Sequence, residues 1–466
     1  SPAFNLEAIM IKKIMYCTGI ICFVSLSLVI SNTIAQEKQV AVTIYQNNLG
    51  LVHDVRKMEL AKGNQEIRFT DVASFIDPTS VHFKSLTAPD AVTLLEQNYE
   101  YDLVSSEKIL KKYIDQVVQL FTKEGKIFEG KLLSVGGNAV LETKDGGIQS
   151  ILMANVQNID FPKLPAGLIT RPTLVWLLSS TKAGKHLMET SYLTEGIDWH
   201  AEYVAAVNDD ETKIDLSAWV SINNQSGTDY ENAKLKLVAG DVNRAVAPQP
   251  KRRDNVEMRA MQAAPPQFEE KTFFEYHLYT LQRAATVRNN QIKQLSLFPM
   301  ATTPIKKRYE YDGSKNEKKV NVILELVNSE KNGMGLPLPA GKVRVYKADG
   351  DQSQVFLGED KIDHTPKDEK IPLHVGDAFD VVGERKQANY KQLSKQSREE
   401  IWQITLRNHK KDEIEVVVRE HLWGDWEIRE SSHTYIKKDA NTVEFLIPIK
   451  KDSEETVKYT VWYRWQ

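Results

Sequence analysis

Ten histidines are spread through the 466 residues, and one of them stands close to a carboxylate. His200 and Glu202 sit two apart in a segment whose alternation predicts a strand, so both side chains project from one face. If the fold brought His186 or His277 alongside, nitrogen and oxygen ligands could hold zinc there. The spacing is looser than the close pair of a His-Glu-x-x-His site, and a polar strand face accounts for it equally well. Trp199 and Tyr203 flank the pair and read as packing residues. His200 and Glu202 are the candidate metal ligands; the reading itself assigns no metal and no cofactor.

A second group, Asp360, Asp363, His364, Asp368 and Glu369, gathers enough oxygen to suggest calcium. It lacks the Asp-x-Asp-x-Asp-Gly order of a calcium loop, so a solvated loop is expected. Asp349-Gly350-Asp351 reads as a hairpin turn. The Gly-x-Ser-x-Gly elbow of acyl transfer does not occur, nor do the glycine-rich phosphate-binding patterns. A Ser-His-Asp set or a pair of glycosidase carboxylates assembled from distant positions would leave no such signature. No catalytic residue is assigned.

Aromatic residues are more suggestive. Trp402, Trp423, Trp426, Trp462 and Trp465 fall near the end of the chain, and Trp423-Gly424-Asp425-Trp426 has the composition of a hairpin. Exposed tryptophan on a β-sandwich can stack on a pyranose ring while polar neighbours fix the orientation. Buried tryptophan would instead fill the core or its rim. Trp423 and Trp426 are therefore the candidate ligand-binding residues. An exposed pair beside polar groups favours glycan binding, and a buried pair removes it.

The segment before these elements reads as an export signal. Met10 is followed by Lys12 and Lys13, no charge occurs from Ile14 to Gln36, and Thr33-Ile34-Ala35 offers small residues for cleavage. Residues 1–35 thus comprise upstream residues and a secretory signal peptide. A retained anchor is the alternative, because the uncharged run is long enough to span a bilayer. Cys17 and Cys22 both lie in this segment, so the mature chain would contain neither a disulfide nor a thiol-bound metal. A chain this long can bury a large core without such staples. Removing Lys12, Lys13 and Glu7 leaves 58 basic and 62 acidic residues, a net charge of −4. That balance argues against nucleic acid, which demands a basic surface.

The remaining chain reads as mainly β and multi-domain. Period-two alternation broken by Asn47-Asn48, Lys62-Gly63-Asn64 and Asp77-Pro78 predicts an N-terminal β domain over 36–103. Ser105 is a natural N-cap for a helix carrying Ile109, Leu110 and Tyr113. Five short strands follow, so 104–163 is expected to be a small barrel. A middle β-sandwich is expected over 164–308, with residues 244–271, rich in proline and charge, as a mobile loop. From 309 to 466, about seven or more strands with regular turn signals predict an immunoglobulin-like antiparallel β-sandwich. Strands ending in Asn224, Asn328 and Asn408 suggest a weak repeat.

Two resemblances attach to particular residues. Phe128-Glu129-Gly130-Lys131-Leu132 with Asn138-Ala139-Val140-Leu141 is similar to the first motif of Sm-like barrels, in which glycine lets a long strand bend. Ile148-Gln149-Ser150-Ile151 stands where that family carries its RNA-binding Arg-Gly pair, so a structural or protein-contact barrel is implied. The second resemblance runs in order through Gly167-Leu168-Ile169-Thr170-Arg171-Pro172, Gly196-Ile197-Asp198-Trp199-His200, Asn223-Asn224-Gln225-Ser226-Gly227, Pro337-Leu338-Pro339-Ala340-Gly341 and Gly376-Asp377-Ala378-Phe379-Asp380. From about residue 164 onward the chain resembles the C-terminal domain of mucoidy-inhibitor proteins, domain of unknown function 4139. The resemblance implies β-rich architecture and bacterial envelope or secreted members, with no catalytic residues to carry over. Those relatives place a coiled coil where this chain has the small barrel, so the barrel is expected as an insertion between the N-terminal strands and those after 164.

The resulting expectation is a non-catalytic exported protein of the bacterial envelope, periplasmic or at the cell surface. It would work through protein or glycan contacts, without nucleic acid, and with no stable membrane span once the signal is cleaved. The alternative is a hydrolase acting on envelope polymers, its site lying between domains.

Overall fold

The structure, a computed structural model, describes residues 38–163, 168–240, 242–243, 267–351 and 353–465. The expected signal peptide and most of the expected loop 244–271 lie outside these residues. Strands dominate, and the one α-helix among the described residues is the seven-residue Ser106–Lys112. The protein is mainly β and built of several sheets, largely antiparallel. No described helix is long and apolar enough to cross a membrane.

The chain divides into two compact units. The first comprises Leu51–Thr194 with the residues before Val42, and the second Val42–Gly50 with Glu195–Gln466. The expected boundary near 164 is thereby corrected to Thr194. Its physical reason is strand Thr173–Ser180, which pairs with Gly63–Thr70 on one edge and Val92–Glu100 on the other. Strand Gly184–Thr194 likewise pairs with His82–Ser85. Residues beyond the small sheet therefore complete the N-terminal domain. Trp176 is fully buried at its centre, with Phe83 and Phe69 rings 4.6 and 5.0 Å away.

Between these halves, helix Ser106–Lys112 precedes a five-stranded sheet. The Ser105 hydroxyl accepts a hydrogen bond from Lys108 N, satisfying one of the free N–H groups of the first turn. Strand Val156–Asp160 closes beside Val117–Thr122, followed in order by Ile127–Val135, Asn138–Glu142 and Ile148–Leu152. Leu110, Tyr113, Leu120, Leu132 and Leu141 form the core. Gly130 is required by a close approach, since a Cβ there would lie 2.6 Å from the carbonyl oxygen of Glu142.

In the second unit, two long strands join layers that the sequence suggests are separate. Gln291–Tyr311, 21 residues long, pairs first with Lys213–Asn224 and then with Lys319–Val327. It runs through the expected boundary at 308/309, which therefore does not separate two sandwiches. Lys370–Ser394, 25 residues long, passes in the same way from Lys319–Val327 to Ser397–Asn408. Two pairings are parallel, Ile197–Val207 with Gly341–Ala348 and Tyr309–Tyr311 with Val416–Val418. The expected loop over 244–271 overlaps strand Phe268–Phe273, which forms a hairpin with Tyr276–Leu281.

The last part of this unit has a core of Tyr311, Val381, Ile404, Leu406, Val416, Val418, Phe445, Val457, Tyr459 and Val461. Alternate residues of each strand enter it, as the pleat requires. One of these strands changes character toward its start, and that change builds the site below.

Candidate functional site

Strand Ser397–Asn408 turns one face toward the core with Leu406, Ile404, Trp402, Glu400 and Arg398 in succession. Ile404 and Leu406 are fully buried, and the polar residues take over as the strand nears its exposed end. Across the ladders, Arg398 lies opposite Tyr463, Glu400 opposite Tyr390, and Trp402 opposite Tyr459. Opposed residues in paired strands share a face, so aromatic rings are set around Arg398.

The guanidinium carbon of Arg398 is 4.9 Å from the Trp423 ring centre and 5.1 Å from that of Tyr463. Trp465 and Tyr390 follow at 5.7 and 5.9 Å. These separations are within the range of cation–π attraction. Three of the rings face solvent, with Trp423 62%, Tyr390 50% and Trp465 39% exposed, whereas Tyr463 is buried. Burial, followed by the nearby Glu400 charge, pushes the Tyr463 phenol up to about 12.

Glu400 is buried beneath this surface and both its oxygens are engaged. Oε1 lies 2.8 Å from Arg398 Nε, and Oε2 accepts a hydrogen bond from Trp402 Nε1 at 3.0 Å. The Arg398 contact is an ion pair without hydrogen-bond alignment, since Nε is buried and unsatisfied. Arg398 donates no hydrogen bond to any described residue.

A second pair lies deeper. The Arg385 guanidinium stacks 3.4 Å from the Trp402 ring centre. Its Nε donates to both oxygens of Glu420 at 3.0 Å, and its Nη2 to Oε2 at 2.9 Å. The Tyr459 hydroxyl donates to the same Oε2, and Glu420 is only 1% exposed. Burial and then the Glu420 charge raise the Tyr459 phenol well above its usual value. Burial alone would lower the Arg385 pKa, but Glu420 outweighs it and raises it.

The structure separates the two tryptophans that the sequence analysis puts together. Gly424 turns the chain between them with φ at 75°. Trp423 stays exposed, whereas Trp426 packs against the core and donates from Nε1 to the carbonyl of Ala440 at 2.8 Å. Of the expected Trp423–Trp426 pair, Trp423 is thus the exposed ring, and its exposed neighbours around Arg398 are Trp465 and Tyr390. Sequence reasoning missed Arg398, Glu400 and Tyr390, although Arg398-x-Glu400-x-Trp402 ahead of Ile404 and Leu406 is a visible departure from apolar alternation.

His200 and Glu202 do meet, with Nε2 and Oε1 3.3 Å apart. The group beyond them is a cation, Arg344, whose Nη1 is 3.7 Å from Glu202 Oε2. Burial favours protonation of Glu202, but His200, Arg344 and Lys342 together hold its carboxyl below the usual value. A guanidinium in that position repels a metal ion. His186 belongs to the first unit, its ring nitrogens 3.0 Å from Ser85 Oγ and from the Lys182 carbonyl. His277 Nδ1 is 2.7 Å from Glu270. Among the described residues, no three His, Cys, Asp or Glu side chains converge as a ligand set. In the acidic group, Asp360 accepts from His374 N at 2.7 Å, and His364 Nδ1 from Ala340 N at 3.1 Å.

The family described as Domain of unknown function (DUF4139) matches residues 188–461. The match includes Tyr390, Arg398, Glu400 and Trp423, and ends before Tyr463 and Trp465. No curated protein matches the chain. With more than half of its length matched, the chain belongs to the DUF4139 family.

Proposed function

We propose that this chain is a non-catalytic, exported protein of the bacterial envelope that binds glycan through the surface formed by Trp423, Trp465 and Tyr390. The observation that carries the reading is the 62% exposure of Trp423 beside a charged group. An aromatic ring left in water forgoes a large burial gain, and a cluster of them marks an interaction surface. Aromatic faces suit the C–H faces of a pyranose, and the Arg398 donors suit its oxygens. Export is supported by the basic start, uncharged run and small-residue exit of residues 1–35.

A hydrolase acting on envelope polymers is the alternative. Glycoside hydrolysis requires a carboxyl free to give up a proton and a second one across the bond. Glu400, the carboxyl beneath the aromatic surface, has one oxygen on Arg398 and the other on Trp402. That engagement favours recognition over proton transfer.

The test is a glycan array probed with the mature chain and with Trp423→Ala. The reading expects a defined set of glycans bound by the native chain and bound more weakly by the variant. Silence of the native chain, or binding unchanged by Trp423→Ala, would overturn it.

A further inference from the structure

We propose that the sugar recognised at this surface carries a carboxylate, and that Arg398 is the residue that selects it. The inference rests on the glycan reading above and adds the ligand's charge.

Its basis is an asymmetry in hydrogen bonding. Around Glu400 the protein has supplied partners to both carboxylate oxygens, one from Trp402 Nε1 and one through the Arg398 ion pair. Around Arg398 it has supplied rings and a single ion-pair contact. Arg398 Nε is buried with no hydrogen-bond partner among the described residues, and the side chain is 20% exposed. A guanidinium carries five donors, and the one buried here without an acceptor costs desolvation that no described residue returns. Arg385 shows what the same side chain looks like when completed, with three hydrogen-bond contacts to one carboxylate. A ligand carboxylate is the planar, two-oxygen acceptor that matches a guanidinium fork. The neighbouring Trp423 and Trp465 rings would hold the apolar face of the ring bearing it.

Selection follows from what the surface does not present. Glu400 is the acceptor beside Arg398, and its oxygens are already occupied, so the centre of the site offers donors. A neutral sugar gains single hydroxyl contacts to Arg398, whereas a uronic acid gains a charge-assisted pair.

The test uses the mature full chain in calorimetric titrations with four probes of equal length. These are an oligogalacturonate, its methyl ester and a neutral galactose oligomer, with an oligoglucuronate as a second acid. The expected result is binding of at least one acid roughly tenfold or more tighter than the ester, weakening as salt is raised. Arg398→Gln should abolish that preference, and Arg398→Lys, which keeps the charge but loses the fork, should retain only part of it. Near-ultraviolet circular dichroism of both variants reports whether the aromatic cluster survives the change. Equal binding of acid, ester and neutral oligomer would overturn the carboxylate claim and leave the glycan reading standing. Binding of neutral glycans on the array with no acid bound would do the same. Silence on the array and in the titrations would overturn both. Acid preference that persists in a folded Arg398→Gln would remove Arg398 as its cause.

Discussion

Two Arg–Glu pairs in the last layers of the second unit use the same residue types for different ends. Glu420 is buried and accepts hydrogen bonds from Arg385 and Tyr459, while the Arg385 side chain is itself 18% exposed. Arg398 and Glu400 sit where one face of strand Ser397–Asn408 reaches solvent, and the arginine has no hydrogen-bond partner among the described residues. Trp402 joins them, stacked under Arg385 and donating to Glu400. A completed buried pair specifies a fold, because neither member tolerates the loss of the other. An incomplete pair at an aromatic mouth is the kind of arrangement that a ligand finishes. On the proposed function, the contrast between them, rather than any motif, separates a structural pair from a recognition pair.

The strongest way to break the comparison is to remove the deep carboxylate. Glu420→Ala leaves the half-buried Arg385 without a counter-charge and should cost about 2–4 kcal/mol, below the full value for a sealed pair because Arg385 reaches water. Urea unfolding followed by tryptophan fluorescence measures it, and a loss below that of a surface pair would sink the distinction. The walls of the deep pair come next. A Cβ at Gly383 would lie 2.3 Å from the Tyr311 ring, so Gly383→Ala should destabilise by about 1–3 kcal/mol through overpacking.

Trp423→Ala should leave the unfolding midpoint nearly unchanged and weaken sugar binding by roughly 0.5–1.5 kcal/mol, the contribution of one aromatic contact. Trp426→Ala, by contrast, should lower stability, because that ring packs on the core. A variant pair behaving the other way round would reverse the assignment of the two tryptophans.

Glu211 offers a third, more exposed case. Lys307 at 2.6 Å and Lys347 at 2.8 Å bind its carboxylate and draw its pKa from 4.5 to about 2. A carboxyl depressed on folding contributes stability that is present above its unfolded value and lost as pH falls. That contribution should therefore fade between about pH 4.5 and 2, and Glu211→Gln should abolish this part of the acid dependence. Urea midpoints of both proteins at pH 7 and pH 3 check the sign, and the effect should be the smallest of the set because the pair is partly solvated.

Much of the fold was legible. The alternation of strands, the Ser105 cap and the glycine at 130 all act over a few residues, which is the range in which sequence speaks plainly. The three strand-ending asparagines were also visible, and the structure gives their reason. Asn224 Nδ2 donates to the carbonyls of Thr228 and Val287, Asn328 Nδ2 to those of Leu336 and Pro366, and Asn408 Nδ2 to those of Asp412, Ile449 and Lys450. Each is a buried amide tying a strand end to a loop and to a distant segment.

The boundaries were not legible, because Gln291–Tyr311 carries no break where it passes from one partner strand to the next. The site was legible only in part. Exposed tryptophan was anticipated, but which tryptophan stays in water depends on the turn at Gly424 and on the register with Ser453–Arg464. Arg398, Tyr390 and Tyr463 come from three strands, and nothing in their local sequence announces that they meet. His200 and Glu202 were correctly placed on one face, yet the cation that completes their surroundings, Arg344, arrives through a parallel pairing far along the chain.

The most direct measurement compares chemical unfolding of Arg398→Gln and Arg385→Gln, each with and without a bound acidic oligosaccharide. The account predicts that Arg398→Gln unfolds like the native chain but is no longer stabilised by the sugar, whereas Arg385→Gln is strongly destabilised before any sugar is added. Equal destabilisation of the two variants, with sugar protection retained in Arg398→Gln, would contradict it.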